Sequence, residues 1–179
     1  DEDLAIGLAR TYRWGGHSAW PLPLSVAQHS LAVLALRREA EPTGLTARAE
    51  LRELLHDADE GLLGFDPLSV LKPFLGDGFH ALAGRLQDAV FQRYGLTYWT
   101  ADEKIEHKKA DRIAAASEAV HVAGWTRDEV KHVLKIPFKP LERDPLMATY
   151  GGTPWEPWAP TVAAERFLKE LKRIQKKLA

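Results

Sequence analysis

The chain has 179 residues, 45% of them hydrophobic and 27% charged, and carries a net charge of −1. That length predicts a single domain, 1–179, with enough chain to bury a real core, and the near-neutral charge excludes an overall basic surface for a nucleic-acid polymer. Cysteine is absent, which excludes disulfides, thiolate metal sites and cysteine nucleophiles and leaves any metal to His, Asp and Glu.

No apolar run approaches membrane-spanning length. The first residues, Asp1-Glu2-Asp3-Leu4, show no signal-peptide pattern. A cytoplasmic protein with no membrane partner is expected. Leu4 to Leu8 reads as one or two helical turns. Arg13-Trp14-Gly15-Gly16-His17 and Trp20-Pro21-Leu22-Pro23 form a loop, because two glycines and two prolines break a helix. Arg13 beside Trp14 pairs a fork-shaped cation with a flat aromatic, a combination suited to phosphate and base. The plainer alternative is a core Trp and a capping Arg.

Ser25-Val26-Ala27-Gln28 predicts a capping box opening a helix that ends at Glu41-Pro42-Thr43-Gly44. His29 lies one turn inside it. Thr46 starts the next helix, whose apolar positions Ala47, Leu51, Leu54 and Leu55 lead into His56-Asp57-Ala58-Asp59-Glu60. If that helix persists, His56, Asp57 and Glu60 share a face. Gly61 and Gly64 break it, and Asp66-Pro67 predicts a further short helix closed by Lys72-Pro73. Asp77 to Tyr94 predicts an amphipathic helix with Phe79, Leu82, Leu86, Ala89 and Val90 inward and His80 outward.

Thr100-Ala101-Asp102-Glu103 is a second capping box, opening a helix to about Ala123 with Ile105, Ile113, Ala116, Val120 and Ala123 as its core face. Asp111 sits mid-helix, where Asp is a poor helix former, beside Lys108 and Lys109. It is either a surface ion-pair partner or a functional group. Thr126 opens a short helix to about Leu134. Ile136 to Trp158 is a connector rich in Pro, Gly and aromatics, long enough to suggest a functional or interface role, with Trp155 and Trp158 as a candidate contact surface. The last helix, from Pro160, has the stripe Val162, Ala163, Phe167, Leu171 and Ile174 and a solvated basic end. With no convincing strand, the expectation is a compact all-α globule.

His29, His56-Asp57 and Asp111 lie on three such helices, and packed helices give a rigid site. Imidazole and carboxylate both ligate first-row divalent metals. In this order they resemble the H…HD…D signature of the HD-domain phosphohydrolases. Arg13-Trp14, Ser25-Val26-Ala27-Gln28-His29-Ser30, His56-Asp57-Ala58-Asp59-Glu60, Asp66 with Lys72, Lys108-Lys109-Ala110-Asp111 and the late Glu156-Pro157-Trp158-Ala159-Pro160 extend the resemblance over most of the chain. They point to the bacterial 5′-deoxynucleotidase branch, which includes phage enzymes that hydrolyse dATP to deoxyadenosine and triphosphate.

The resemblance implies an HD-domain fold and a divalent metal (Co, Mn, Zn or Fe, with Mg a candidate for a second site) held by His29, His56, Asp57 and Asp111. Such a metal polarises phosphoryl oxygen and activates water. Glu60 and Asp66 would be catalytic, positioning or deprotonating water or holding a second metal. Arg13, Lys72 and Lys108 would contact phosphate and Trp14 the deoxyribose. The remaining histidines, His17, His80, His107, His121 and His132, would be structural or exposed. It further implies a deoxynucleotide substrate, a homo-oligomer (dimer or larger), and the cytoplasm of a bacterium or a phage-infected host.

Two departures stand out. Gln28 replaces the usual Glu, and the loop before Asp66 has one extra residue and moved prolines. Three activities stay open: a 5′-nucleotidase on dNMP, slightly favoured; a dNTP triphosphohydrolase acting on dATP; and a metal-free helical binding module. Cyclic-dinucleotide or (p)ppGpp hydrolysis fits the Arg-Trp and Ser-Val-Ala-Gln-His-Ser segments less well.

Overall fold

The structure, a computed structural model, describes residues 1–178. Among these residues there are α-helices, two short 3-10 turns and one isolated antiparallel bridge, with no strand, so the all-α expectation is borne out. No helix among them is long and apolar enough to cross a membrane.

Helix α2 (Val26–Ala40) is the centre of the molecule. It is buried without interruption from Val26 to Leu34, as a helix surrounded by others must be. Around it pack α1 (Glu2–Arg10), α3 (Ala47–Leu54), α6 (Ala101–His121) and α9 (Pro160–Gln175). Leu8, Val26, Leu34, Leu51, Leu54, Leu55, Phe167, Leu171 and Ile174 are fully enclosed. Each such side chain contributes about 1.5–3 kcal/mol by leaving water. The expected stripe of α9 meets this core at Ala163, Phe167, Leu171 and Ile174.

The Ser25 cap forms: its hydroxyl accepts from the Gln28 N–H at 3.2 Å. The reciprocal half of the box does not. The Gln28 amide instead donates to the Glu156 carbonyl at 3.0 Å and accepts from the Trp158 N–H at 2.8 Å. The boxes at Thr100 and Thr126 close in both directions.

Helix α3 does not continue through His56. It ends at Leu54, and α4 (Ala58–Leu63) starts after Asp57, which stands outside the helical region as its N-cap. The His56 ring takes the Glu53 carbonyl at 2.8 Å, one of the carbonyls left free at a helix end. His56, Asp57 and Glu60 are therefore arranged by a turn and not by one helical face. Close contact fixes α4 on α1: a methyl at Gly61 would lie 2.6 Å from the Leu8 Cγ, and one at Gly7 would strike the Gly61 carbonyl.

Three further expectations are corrected. Asp66-Pro67 starts no helix; residues 65–68 are irregular, and the next turn is a 3-10 helix at Lys72–Phe74. In α5 (Gly76–Arg93) only Gln87, Val90 and Phe91 are buried, and Leu82 of the expected stripe is exposed. In α6 Ile105 is 64% exposed, and His107, Ala110, Ala114, Ala116, Ser117, Glu118 and Ala119 form the buried side. The 136–158 connector, which includes α8 (Met147–Tyr150), is fastened to the body. Trp155 stacks on His121 at 4.5 Å, and Trp158 lies beneath the Arg166 guanidinium at 4.1 Å. Both indoles thus spend one face inside the molecule, and both remain partly exposed.

Away from these features, α9 is tied to α2 and α3 by ion pairs. Glu50 meets Arg38 and Lys177, each at 2.7 Å. Glu170 meets Arg38 at 2.5 Å and Arg173 at 2.8 Å.

Candidate metal centre

Two local structures bring the first ligand and the arginine together. The Tyr12–Ser25 bridge, with Arg13 N–H to Leu24 O and Val26 N–H to Thr11 O at 2.9 Å, lays the Arg13 loop along the start of α2. His29 lies one turn inside that helix and is completely buried. Its Nδ1 is 2.6 Å from the Glu118 Oε1. Its Nε2 faces the Asp57 Oδ2 at 3.5 Å and the Asp111 Oδ1 at 3.4 Å.

His56 completes the group. Its Nδ1 donates to the Glu53 carbonyl, so the lone pair is on Nε2, 3.1 Å from the Asp57 Oδ2. His29, His56 and Asp57 offer ligand atoms that all lie within 4.8 Å of one another. Asp111 approaches through His29 with one oxygen, and its other oxygen accepts from Lys108 Nζ at 3.0 Å. Neither His29 Nε2 nor His56 Nε2 makes a hydrogen bond, although both are buried. Two imidazole nitrogens and one carboxylate that converge, with Asp111 beside His29, suit a first-row divalent cation.

The electrostatics agree. Burial and Arg13 disfavour a charged His29, but Glu118 and Asp111 outweigh them and push its pKa up to about 10. Burial would raise Asp57, yet His56 and His29 hold it well below the ordinary carboxylate range; Asp111 is lowered against its own burial by His29 and Lys108. Glu118 is brought down to about 2, against burial, by His29 and Arg13. The centre favours added positive charge, whether a proton or a metal ion, and these compete for the same nitrogen.

A cavity of about 270 Å³ opens beside this group. Its wall carries all four expected substrate contacts, Arg13, Trp14, Lys72 and Lys108, together with Asp57, Asp66 and Asp111. Arg13 is already engaged: Nη1 donates to Asp66 at 3.1 Å and Nε to Glu118 at 3.0 Å, and Nη2 makes no hydrogen bond. The expected free bidentate fork is therefore reduced to its outer nitrogen. Trp14 has left-handed backbone angles, φ 59° and ψ 26°, unusual for a bulky residue and a frequent mark of a functional site. Its ring packs against Trp125, and its buried Nε1 has no partner.

Glu60 and Asp66 are separated in role by their positions. Asp66 is on the cavity wall. Glu60 is not; it is buried, accepts from Lys72 Nζ at 3.1 Å, and leaves Oε2 unpaired. Burial first, then Asp57 and Asp66, push the Glu60 pKa up to about 9, against the pull of Lys72 and Arg13.

An uncharacterized protein of Rhodobacter capsulatus is 39% identical over 143 residues, which covers 79% of this chain and 72% of the relative. The chain belongs to that protein's family. No family model matches it. The kinship brings no activity with it, so the chemistry rests on the residues.

Several residues of the site were not anticipated. Glu118 follows Asp111 by seven residues, two helical turns on the same face, and that spacing was the available signal. His107, grouped with the structural histidines, is 2% exposed, holds the Glu53 carboxylate at 2.6 Å, stacks on Trp99 at 4.3 Å and touches the His56 ring edge-on at 5.0 Å. Leu134 and Ile136, with Leu68, make the apolar wall opposite the cations; they come from irregular segments, where periodicity carries no signal.

Proposed function

We propose that the protein is a metal-dependent phosphohydrolase acting on deoxynucleoside 5′-monophosphates. The observation that carries this reading is the buried pair of unpartnered imidazole nitrogens on His29 and His56, which converge with Asp57, Asp111 standing beside His29, next to a cavity lined by cations. Those four residues would hold the divalent cation, which supplies Lewis acidity and neutralises phosphoryl charge.

The chain's own side chains divide the remaining work. Lys72 and Lys108, each about half exposed on the wall, attract the phosphate as point charges, and the outer nitrogen of Arg13 donates to it. Asp66 is the carboxylate placed to orient a water at the phosphorus. Glu60 sets Lys72 through their hydrogen bond and does not itself reach the wall. Trp14, Leu68, Leu134 and Ile136 give an apolar surface for sugar and base and exclude bulk water.

A cavity of about 270 Å³ lies just under the range of about 300–1,000 Å³ usual for small-molecule pockets. The monophosphate reading stays slightly favoured, and the dATP triphosphohydrolase would use the same residues. A panel of dNMPs and dNTPs, tested with Co, Mn, Zn and Mg and with products identified, decides between them. Phosphate released from dAMP is the expected result. Triphosphate released from dATP, with dNMPs inert, would replace this reading with the second, and no turnover with any metal would leave the helical binding module.

A further inference from the structure

The two halves of the candidate site share one carboxylate. Glu118, 3% exposed on α6, gives Oε1 to His29 Nδ1 at 2.6 Å and Oε2 to Arg13 Nε at 3.0 Å. His29 belongs to the metal-holding group and Arg13 to the phosphate-binding wall, so a single side chain touches a member of each. We infer that Glu118 is a positioning residue that fixes the tautomer of His29 and the orientation of Arg13 together, so that the metal ligand and the phosphate donor are set by one group. This rests on the metal-phosphohydrolase reading and adds to it a residue with no contact to metal or substrate.

An ionised carboxylate only accepts, so Oε1 holds a His29 proton on Nδ1 and leaves Nε2, toward Asp57 and Asp111, as the nitrogen at which a metal would replace a proton. Partners of this kind fix the ring and the tautomer of a metal-binding histidine. The other oxygen holds Arg13 by Nε, while Asp66 takes Nη1, which leaves Nη2 without a protein partner on a side chain that lines the cavity. An amide cannot serve both. With its oxygen on His29, a glutamine would set its NH₂ against the Arg13 Nε–H and expel the guanidinium. With its oxygen on Arg13, the NH₂ would meet Nδ1, move the imidazole proton to Nε2 and remove the ligand lone pair. Either way one half of the site is lost, although volume is conserved.

The test is Glu118→Gln in the full chain, stripped of metal and titrated with Co(II) alone by calorimetry and visible absorption. KM and kcat for dAMP are then measured at saturating Co(II). The expected result is Co(II) affinity weakened about 10- to 100-fold, the range found when such partners are removed, and a KM raised several-fold more than kcat falls. A folded variant with Co(II) affinity and KM both within about twofold of wild type overturns the inference, even if its melting temperature drops, since a purely structural carboxylate predicts that pattern. Should the variant fail to fold, ¹⁵N–¹H spectra of the wild-type imidazoles answer the same question. With Zn(II) bound in place of Co(II), a His29 proton on Nδ1 with a slowly exchanging Arg13 Nε–H supports the shared carboxylate, and a His29 ring with no proton on Nδ1 overturns it. The two levels separate cleanly: wild type that takes no Co(II) removes the metal reading and this inference with it. Wild type that binds Co(II), matched by Glu118→Gln in both Co(II) affinity and KM, removes the inference alone.

Discussion

Two clusters of buried charge lie in this molecule and are built on opposite terms. At the α2–α3–α9 junction, Glu50 and Glu170 are met by Arg38, Arg173 and Lys177 in direct ion pairs. At the α2–α3–α6 junction, carboxylates from Asp57, Asp111 and Glu118 converge on His29, and yet His29 Nε2, His56 Nε2 and Glu60 Oε2 are left without hydrogen bonds. The first cluster is closed and needs nothing further. The second carries a standing desolvation cost that a bound cation would offset. Burial of charge is common to both, so burial alone does not mark a functional centre. The contrast is in two buried imidazole nitrogens that converge with Asp57 and make no hydrogen bond.

The sharpest way to break this contrast is to remove a member of the open cluster. His56→Ala is expected to lower phosphate release from dAMP on the order of a thousandfold, since electrostatic help of this kind supplies several kcal/mol at the transition state. Bound metal measured by elemental analysis should fall with it while helical circular dichroism is retained. Wild-type turnover by that variant would place the chemistry elsewhere.

Metal should next stabilise the fold. At a free Co(II) concentration a hundred times its dissociation constant, linkage gives about 2.7 kcal/mol. That is roughly 5–10 °C in melting temperature for a domain of this size. Thermal scans with and without chelator measure it, and His29→Ala should abolish the difference. A closed cluster shows no such response, so equal melting temperatures in the wild type would put the two clusters in one class.

Neutralising one carboxylate in each cluster should move stability in opposite directions. Glu50→Gln discards charge-assisted bonds in a buried setting and should cost about 2 kcal/mol. Glu60→Gln mimics the protonated side chain that burial favours, and should raise the melting temperature of chelator-treated protein at pH 7 by a few degrees. Chemical denaturation of both variants checks the pair of signs.

The smallest effect is in the pH profile, and it follows from the same signs. The Arg38 and Lys177 partners hold Glu50 below its ordinary value against its burial, and Arg173 and Arg38 do so for Glu170. Carboxylates lowered in the fold contribute stability above their unfolded pKa of about 4.5 and lose it as the pH falls through their folded values. Glu60, raised to about 9, does the reverse: its contribution is whole below about 4.5 and is lost as the pH rises toward 9. Chelator-treated wild type should therefore weaken across that upper window, and Glu60→Gln should flatten the loss without altering the acid limb.

Much of this architecture could be read in the chain because helix starts are local events. Ser25, Thr46, Thr100 and Thr126 each accept from the backbone N–H three residues on, as their types predict. The α9 stripe was readable for the same reason, since one face of that helix meets one core. What was not readable depends on partners. Ile105 and His107 are two residues apart on α6, and hydrophobicity alone places the wrong one inside, because Glu53 and Trp99 reward the histidine. Leu82 has the right period on α5, but no neighbour covers it. The candidate ligands His29, His56, Asp57 and Asp111 were legible as an ordered set. Their turn geometry was not, because the His56 ring ends α3 by a side-chain bond that competes with the helix. Glu60 and Asp66 looked equivalent in sequence, and only the fold puts one on the cavity wall and the other off it.

Gln28 has a consequence for how the chain reaches this state. Its amide holds Glu156 and Trp158, residues 128 and 130 positions away, and it is adjacent to His29. A glutamate there could accept from Trp158 but could not donate to the Glu156 carbonyl, so the departure at this position suits the path of the connector. Contacts across such separations close late, after local helices have formed, because the loop entropy must be met first. The environment of His29 is thus finished only when the far end of the chain arrives. In kinetic terms, competence to take up a cation should appear as a slower phase of refolding than the formation of the helices that carry its ligands.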